Sequence, residues 1–226
     1  MKDRQTEVFA VIPMKSLDKA KSRLSSFLPV VERKEFCLKM LEDVLSAVKS
    51  IKNISQTVVV SNDLNVLRAT EKFGAESLKE WRSGLNRAVS QAIDGCCKRG
   101  VSSVLVLPID IPLVMPRDLE GMLALRNKAS MVISPSRRGE GTNALLLTPP
   151  NVIPTFYGPQ SFQRHLEEAF ERGISFSCYR SERIALDIDT VEDLNDFILT
   201  HAKKTNAYKV LDKMKISSKL PKKEVS

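Results

Sequence analysis

The apolar positions of this 226-residue chain follow two alternating rhythms. Short unbroken runs come first: "EVFAVIPM", which closes at Pro13, "QTVVVS" over 56–61 and "SVLVLPI" over 103–109. Runs without polar alternation predict strands covered on both faces. Between them apolar residues recur at helical spacing. Val31, Phe36, Met40, Leu41, Val44, Leu45 and Val48 make one stripe over 29–50, and 63–73 predicts a helix capped by Ser61 or Asn62 and stopped by Gly74. "SGLNRAVSQAIDGCCKRG" predicts a helix closing at Gly100, and "PRDLEGMLALRNK" another opening on Pro116. Further on, "SMVISPS", "NALLLTPP" and "ISFSCYR" predict strands, "GPQSFQRHLEEAFERG" a helix, and "LDIDTVEDL" the approach to a last helix. Such alternation predicts an α/β domain with a mostly parallel sheet and helices on both faces. Ligands in these folds bind beyond the carboxyl ends of the strands, so the residues that follow each strand carry the candidate chemistry.

Composition narrows the classes. A hydrophobic share of 42% suffices for one sizeable core, and a single domain over 1–202 is expected, followed by a lysine-rich tail over 203–226. Cys37, Cys96, Cys97 and Cys178 form no CxxC pair, which points away from a zinc site or disulfide framework and towards reduced thiols in the cytoplasm. The first apolar run is too short for a secretory signal, and no stretch of about 18 apolar residues would span a bilayer, so no membrane partner is expected. The formal charge of +8 is concentrated in the tail, where eight lysines face Asp212 and Glu224. That tail reads as solvated and partly disordered. Without a broad cationic face on the body, a nucleic-acid partner is not expected; the rival reading is a basic binding module that uses the tail.

Three constellations remain. In "PMKSLDKAKSRL" the cations Lys15, Lys19, Lys21 and Arg23 crowd a loop that leaves a buried strand, a place from which they can surround a polyphosphate. A solvated surface loop fits the same count. No GxxxxGK[ST] and no GxGxxG occurs, so neither a P-loop nor a dinucleotide fingerprint is present. Asp110 stands in "VLVLPIDIPLV", an acid at the mouth of an apolar strand with Pro108 and Pro112 to either side. An unpaired buried carboxylate is costly, so it calls for a metal, a cation or backbone amides, unless it only shapes an Asx turn. Asp187 and Asp189 in "ALDIDTVEDL" form a second acidic pair ahead of a helix that Asp189 or Thr190 caps. Carboxylates converging from two segments suit Mg²⁺, which fills its remaining positions with water and substrate phosphate. Cations and acids on one edge imply a nucleoside triphosphate. Finally, "RRGEGTNALLL" and "YGPQSFQRHL" place Arg137, Arg138, Gly139, Gly141, Thr142, Gly158 and Ser161 where a small phosphate or carboxylate would bind. Ser161 as a plain N-cap is the other reading, and His165 reads as a surface helix residue.

On these motifs the chain resembles the nucleotidyltransferases that include the sugar-nucleotide and molybdopterin transferases, and among them the guanylyltransferases of coenzyme F(420) biosynthesis. The match runs in order from "VIPMKSLDKAKSRL" through "GLNRA", "LPIDIPL", "GTNALLL" and "YGPQSFQRHL" to "LDIDTVEDL". The resemblance implies a three-layer α/β/α, Rossmann-like fold of glycosyltransferase-A type, Mg²⁺ dependence and a homodimer. It implies GTP and a small phosphorylated hydroxy acid as partners. By motif, Pro13, Lys15, Lys21, Arg23, Ser83, Gly84 and Asn86 meet the nucleotide, with Lys15, Lys21, Arg23 and Asp110 catalytic. Asp110 and Asp189, with Asp187 as competitor, hold the metal, and Thr142, Gly158 and Ser161 take the acid.

Overall fold

The structure, a computed structural model, describes residues 7–81, 83–200 and 202–216. Seven strands form one sheet: β1 (Val8–Pro13), β2 (Ile54–Ser61), β3 (Glu76–Lys79), β4 (Ser103–Val106), β5 (Met131–Pro135), β6 (Thr142–Leu147) and β7 (Phe176–Cys178). Their order is β3-β2-β1-β4-β6-β5-β7, and every pairing is parallel except those of β6 with β4 and β5. The expected mixed, mostly parallel sheet is therefore present. The helices of eight residues or more are α1 (Val30–Lys49), α2 (Leu64–Lys72), α3 (Leu85–Lys98), α4 (Pro116–Ala124), α5 (Ser161–Glu171), α7 (Val191–Leu199) and α8 (Asn206–Lys213), and α6 (Glu182–Ala185) is a single turn.

Side-chain alternation splits the core into two layers. Phe9 and Val11 of β1 face Ala88, Val89, Ala92 and Ile93 of α3 and Ala169 of α5. Val8, Ala10 and Ile12 point the other way, into the layer built by α1, α4, α7 and α8. A sheet covered on both faces explains why β1 and β4 are apolar throughout. It also places the carboxyl ends of β1, β2 and β4 on one edge. Because β6 runs against β4, its first residue, Thr142, is brought to that same edge.

Several elements differ from expectation. "ESLK" carries a single apolar residue and gives no strand signal, yet it forms β3, an edge strand paired only with β2 and half-exposed. Asp63, rather than Ser61 or Asn62, caps α2 by accepting from the Asn65 N–H at 2.9 Å. Gln160, in the left-handed region at φ 56°, precedes α5, so Ser161 is its first helical residue. Among the described residues no helix is long and apolar enough to cross a membrane.

The largest correction concerns the tail. Residues 206–213 form α8, which packs on α1 and buries Ala207, Val210 and Leu211, with Ile216 following into the core. The expectation of a solvated tail from 203 fails there because its few apolar residues fall on one helical face while the lysines stay outside. The remainder, 217–226, lies outside the described residues. Asp43 of α1 fixes the docking by accepting from the backbone N–H groups of Asn206 at 2.7 Å and Ala207 at 2.8 Å. Asp43→Ala leaves those two donors without their acceptor and should cost about 1–3 kcal/mol, read as a lower urea midpoint at unchanged slope.

Burial raises the Asp43 carboxyl to about 6 despite those two donors. A raised carboxyl pKa means the folded state holds more protons than the unfolded one. Its contribution is thus complete below about 4 and lost as pH rises through about 6. Asp43→Asn should remove that part of the pH dependence; identical pH slopes for the variant and the parent would contradict it.

Candidate active site

Lys21 is the centre of the site. Its ammonium donates to Asp110 Oδ2 at 2.7 Å and to Asp189 Oδ1 at 2.6 Å, with the lysine side chain only 7% exposed. The backbone at Lys21 is left-handed, φ 51° and ψ 41°, just ahead of a 3-10 turn over Ser22–Leu24. That conformation costs a non-glycine residue roughly 1–3 kcal/mol, which the two charge-assisted bonds offset. Burial works against the ammonium, yet Asp110 and then Asp189 hold its pKa above the ordinary lysine range. Burial alone would raise the Asp189 carboxyl too, but Lys21, with Arg23 and Lys15 behind it, keeps it below the usual carboxylate range.

The surrounding segments are tethered for this purpose. Leu17, Leu24 and Leu28 are buried anchors of the cationic loop, and the Leu17 N–H donates to Asp63 Oδ2 at 2.9 Å. β4 ends at Val106, ahead of Pro108, and Ile188 N–H donates to the Asp110 carbonyl at 2.9 Å. That single backbone bond joins the two acidic segments and sets Asp189 beside Lys21. Asp187 is turned aside: its Oδ1 accepts from Asn143 Nδ2 at 3.1 Å, and burial, then the charge of Asp110, raises its carboxyl pKa.

A cavity of about 410 Å³ opens over this bridge, lined by Pro13, Lys15, Lys19, Lys21, Arg23, Asp110 and Asp189 among others. A second, of about 300 Å³, shares Pro13, Lys15 and Lys19 with it and continues to Asn62, Glu80, Ser83 and Gly84. Gly84, at φ 130°, turns the chain into α3, a backbone that only glycine adopts easily. Together they form an elongated trough, cationic at one end and polar at the other.

Not every expected residue lines it. Asn86 spends its side chain on the Tyr157 backbone, donating to the carbonyl at 2.8 Å and accepting from the N–H at 2.6 Å. It clamps the segment ahead of Gly158, and Tyr157 itself reaches the cavity wall. Thr142 and Ser161 meet each other, the Thr142 N–H donating to Ser161 Oγ at 2.9 Å, beside that segment. Arg137 is engaged with Asp193 and Asp196, and Arg138 lies 3.6 Å from Asp193, so both are turned to α7. His165, read as a surface residue, is fully buried. Sequence reasoning passed over Tyr157, Glu80 and Asn143; the first and third stand inside the quoted motifs, and only tertiary contacts distinguish them.

Among the described residues no group of three or more His, Cys, Asp and Glu side chains is placed to hold a metal ion. The two carboxylate oxygens that converge on Lys21 Nζ are hard donors facing one point, a set that fits an ion content with one or two protein ligands.

A family model described as "Guanylyl transferase CofC like" matches residues 8–225. The chain belongs to that family. It is 37% identical over 210 residues to 2-phospho-L-lactate guanylyltransferase of Methanocaldococcus vulcanius, covering 92% of each chain. It is 38% identical over 188 residues to phosphoenolpyruvate guanylyltransferase of Rubrobacter xylanophilus, covering 83% of this chain and 91% of that one. In fold it is similar to a structure assigned as a nucleotide-diphospho-sugar transferase of Desulfovibrio desulfuricans G20, with TM-score 0.76, 14% identity and 93% and 97% of the two chains covered. The CofC-like chain is thus a nucleotidyltransferase by family, and its fold is that of the compared transferase.

Lys21→Met should let the Asp189 carboxyl titrate upward, since burial would then act without the opposing ammonium. Carboxyl-carbon NMR titration of the two proteins reads the change, and an unaltered Asp189 titration would contradict the bridge.

Proposed function

We propose that this protein is a guanylyltransferase that joins GTP to (2S)-2-phospholactate, giving lactyl-2-diphospho-5′-guanosine and pyrophosphate. The observation that carries the reading is the Lys21–Asp110–Asp189 bridge at the floor of a trough lined by further cations. The names of similar proteins supply the base and the acid.

A phosphate oxygen of the acceptor attacks the α-phosphorus of GTP in line. The new P–O bond forms as the bond to the β-phosphate oxygen breaks, and the electron pair leaves with pyrophosphate. Lys15, Lys21 and Arg23 neutralise that leaving group. No general base is required, because a phosphate monoester is already an anion near neutral pH. Rate enhancement then comes from positioning and preorganised charge. Asp110 and Asp189 would hold Mg²⁺, with Asp187 the neighbouring carboxylate, and the ion would supply charge compensation at the α-phosphate. The guanosine end lies towards Ser83 and Gly84, with Asn86 acting through Tyr157. Thr142, Gly158 and Ser161 take the acid's charged groups. A cytoplasmic homodimer belongs to the same reading.

A second reading keeps the chemistry and exchanges the acceptor for phosphoenolpyruvate, which differs from phospholactate by two hydrogens. It is favoured by a relative of equal similarity that bears this activity in its name. Pyrophosphate release should be measured with each nucleoside triphosphate against phospholactate, phosphoenolpyruvate, 3-phosphoglycerate and a sugar phosphate. Turnover with GTP and one of the two three-carbon enol or lactyl acids is expected; turnover only with a sugar phosphate would overturn the assignment. Asp110→Asn should lower turnover at least about 100-fold while thermal unfolding stays cooperative, and a near-normal rate would remove its catalytic role.

A further inference from the structure

His165 lies on α5 with no solvent exposure, and its ring is bonded at both nitrogens. Nε2 receives the backbone N–H of Phe156 at 2.9 Å, and Nδ1 lies 3.1 Å from Thr142 Oγ1. A backbone N–H can only donate, so Nε2 must be the bare nitrogen. A neutral imidazole then carries its proton on Nδ1, and burial keeps the ring neutral by lowering its pKa to about 4. The rings of Phe156 and Tyr157 pack edge-on against it and fix its plane.

The consequence falls on Thr142. Its hydroxyl oxygen receives the Nδ1–H, which the Ser161 carbonyl also faces, so the hydroxyl cannot donate to the ring. Its own hydrogen has no acceptor among the described residues, although Thr142 is 6% exposed. Ser161, 2% exposed, is in the same condition: its oxygen accepts from the Thr142 N–H and its hydrogen has no partner among the described residues. Two buried, oriented donors without acceptors point to an anionic ligand. We infer that His165 is a positioning residue that compels the Thr142 hydroxyl to donate to an anionic oxygen of the phosphorylated acceptor. The same ring, through Phe156, ties down the segment that leads to Gly158. This role rests on the reading that Thr142 and Ser161 receive the acceptor.

The test uses the full-length enzyme and two conservative variants. His165→Asn can keep an N–H donor near the Nδ1 position, whereas His165→Gln places its amide near the Nε2 position, where it can accept from Phe156, and leaves no polar atom at the Nδ1 position. KM for the acceptor should rise about ten-fold or more in His165→Gln, with the GTP KM unchanged, and should stay within about three-fold of the parent in His165→Asn. The reverse order, or equal rises for both substrates, would overturn the inference. Independently, nitrogen-15 histidine NMR of the parent at neutral pH should give the Nδ1–H tautomer for His165, assigned by its loss in the variants; an Nε2–H or doubly protonated ring would overturn it. Thr142→Val separates the two layers of the argument. If it raises the acceptor KM and His165→Gln does not, the His165 role alone fails; if neither raises it, the acceptor reading of this cluster fails as well.

Discussion

The contact of the Lys21 ammonium with Asp110 and Asp189 joins segments 89 and 168 residues apart along the chain. Each charge makes the others tolerable. A buried ammonium without partners would shed its proton, and two carboxylates facing one point would repel unless a cation stood between them. The bridge therefore fixes where the cationic loop lies, how the turn after β4 is aimed and how α7 begins. Capping repeats the theme at the last of these: Thr190 opens α7, and its hydroxyl and backbone N–H both donate to Asp193 Oδ2 at 2.9 Å.

Sheet topology makes the bridge possible. Parallel β1 and β4 deliver their following loops to one edge, and the reversal of β6 delivers Thr142 to it from the opposite chain direction. α5 enters there through the left-handed Gln160 and Gly158 at φ 126°, so Ser161 reaches the Thr142 backbone. Asn86 closes the ring by clamping Tyr157 from α3. The cationic loop, the paired acids and the bonded Thr142–Ser161 pair are thus brought towards one edge although they come from most of the chain's length.

Much of this was legible in the residues. An acid between two prolines at the end of an apolar run had to find a partner, and a lysine cluster behind another strand offered one; unbroken apolar strands and striped helices gave the layers. What was hidden depended on contacts across long sequence distance. "ESLK" lacks apolar runs because an edge strand needs none, and α8 has too few apolar residues to be recognised until α1 is there to receive them. The D-I-D spelling could not show that Asp187 turns to Asn143 while Asp189 turns to Lys21, because those contacts come from distant segments. His165 looked like any polar helix residue, since its burial comes from the Phe156–Tyr157 segment folding over it.

On the proposed function, Lys21 holds the place between Asp110 and Asp189 until a triphosphate arrives. A crystal structure with Mn²⁺ and a non-hydrolysable GTP analogue tests it directly. The account predicts an anomalous peak between the two carboxylates, with the Lys21 ammonium moved onto a phosphate oxygen. Lys21 still bonded to both aspartates, with the metal and triphosphate bound elsewhere, would contradict it.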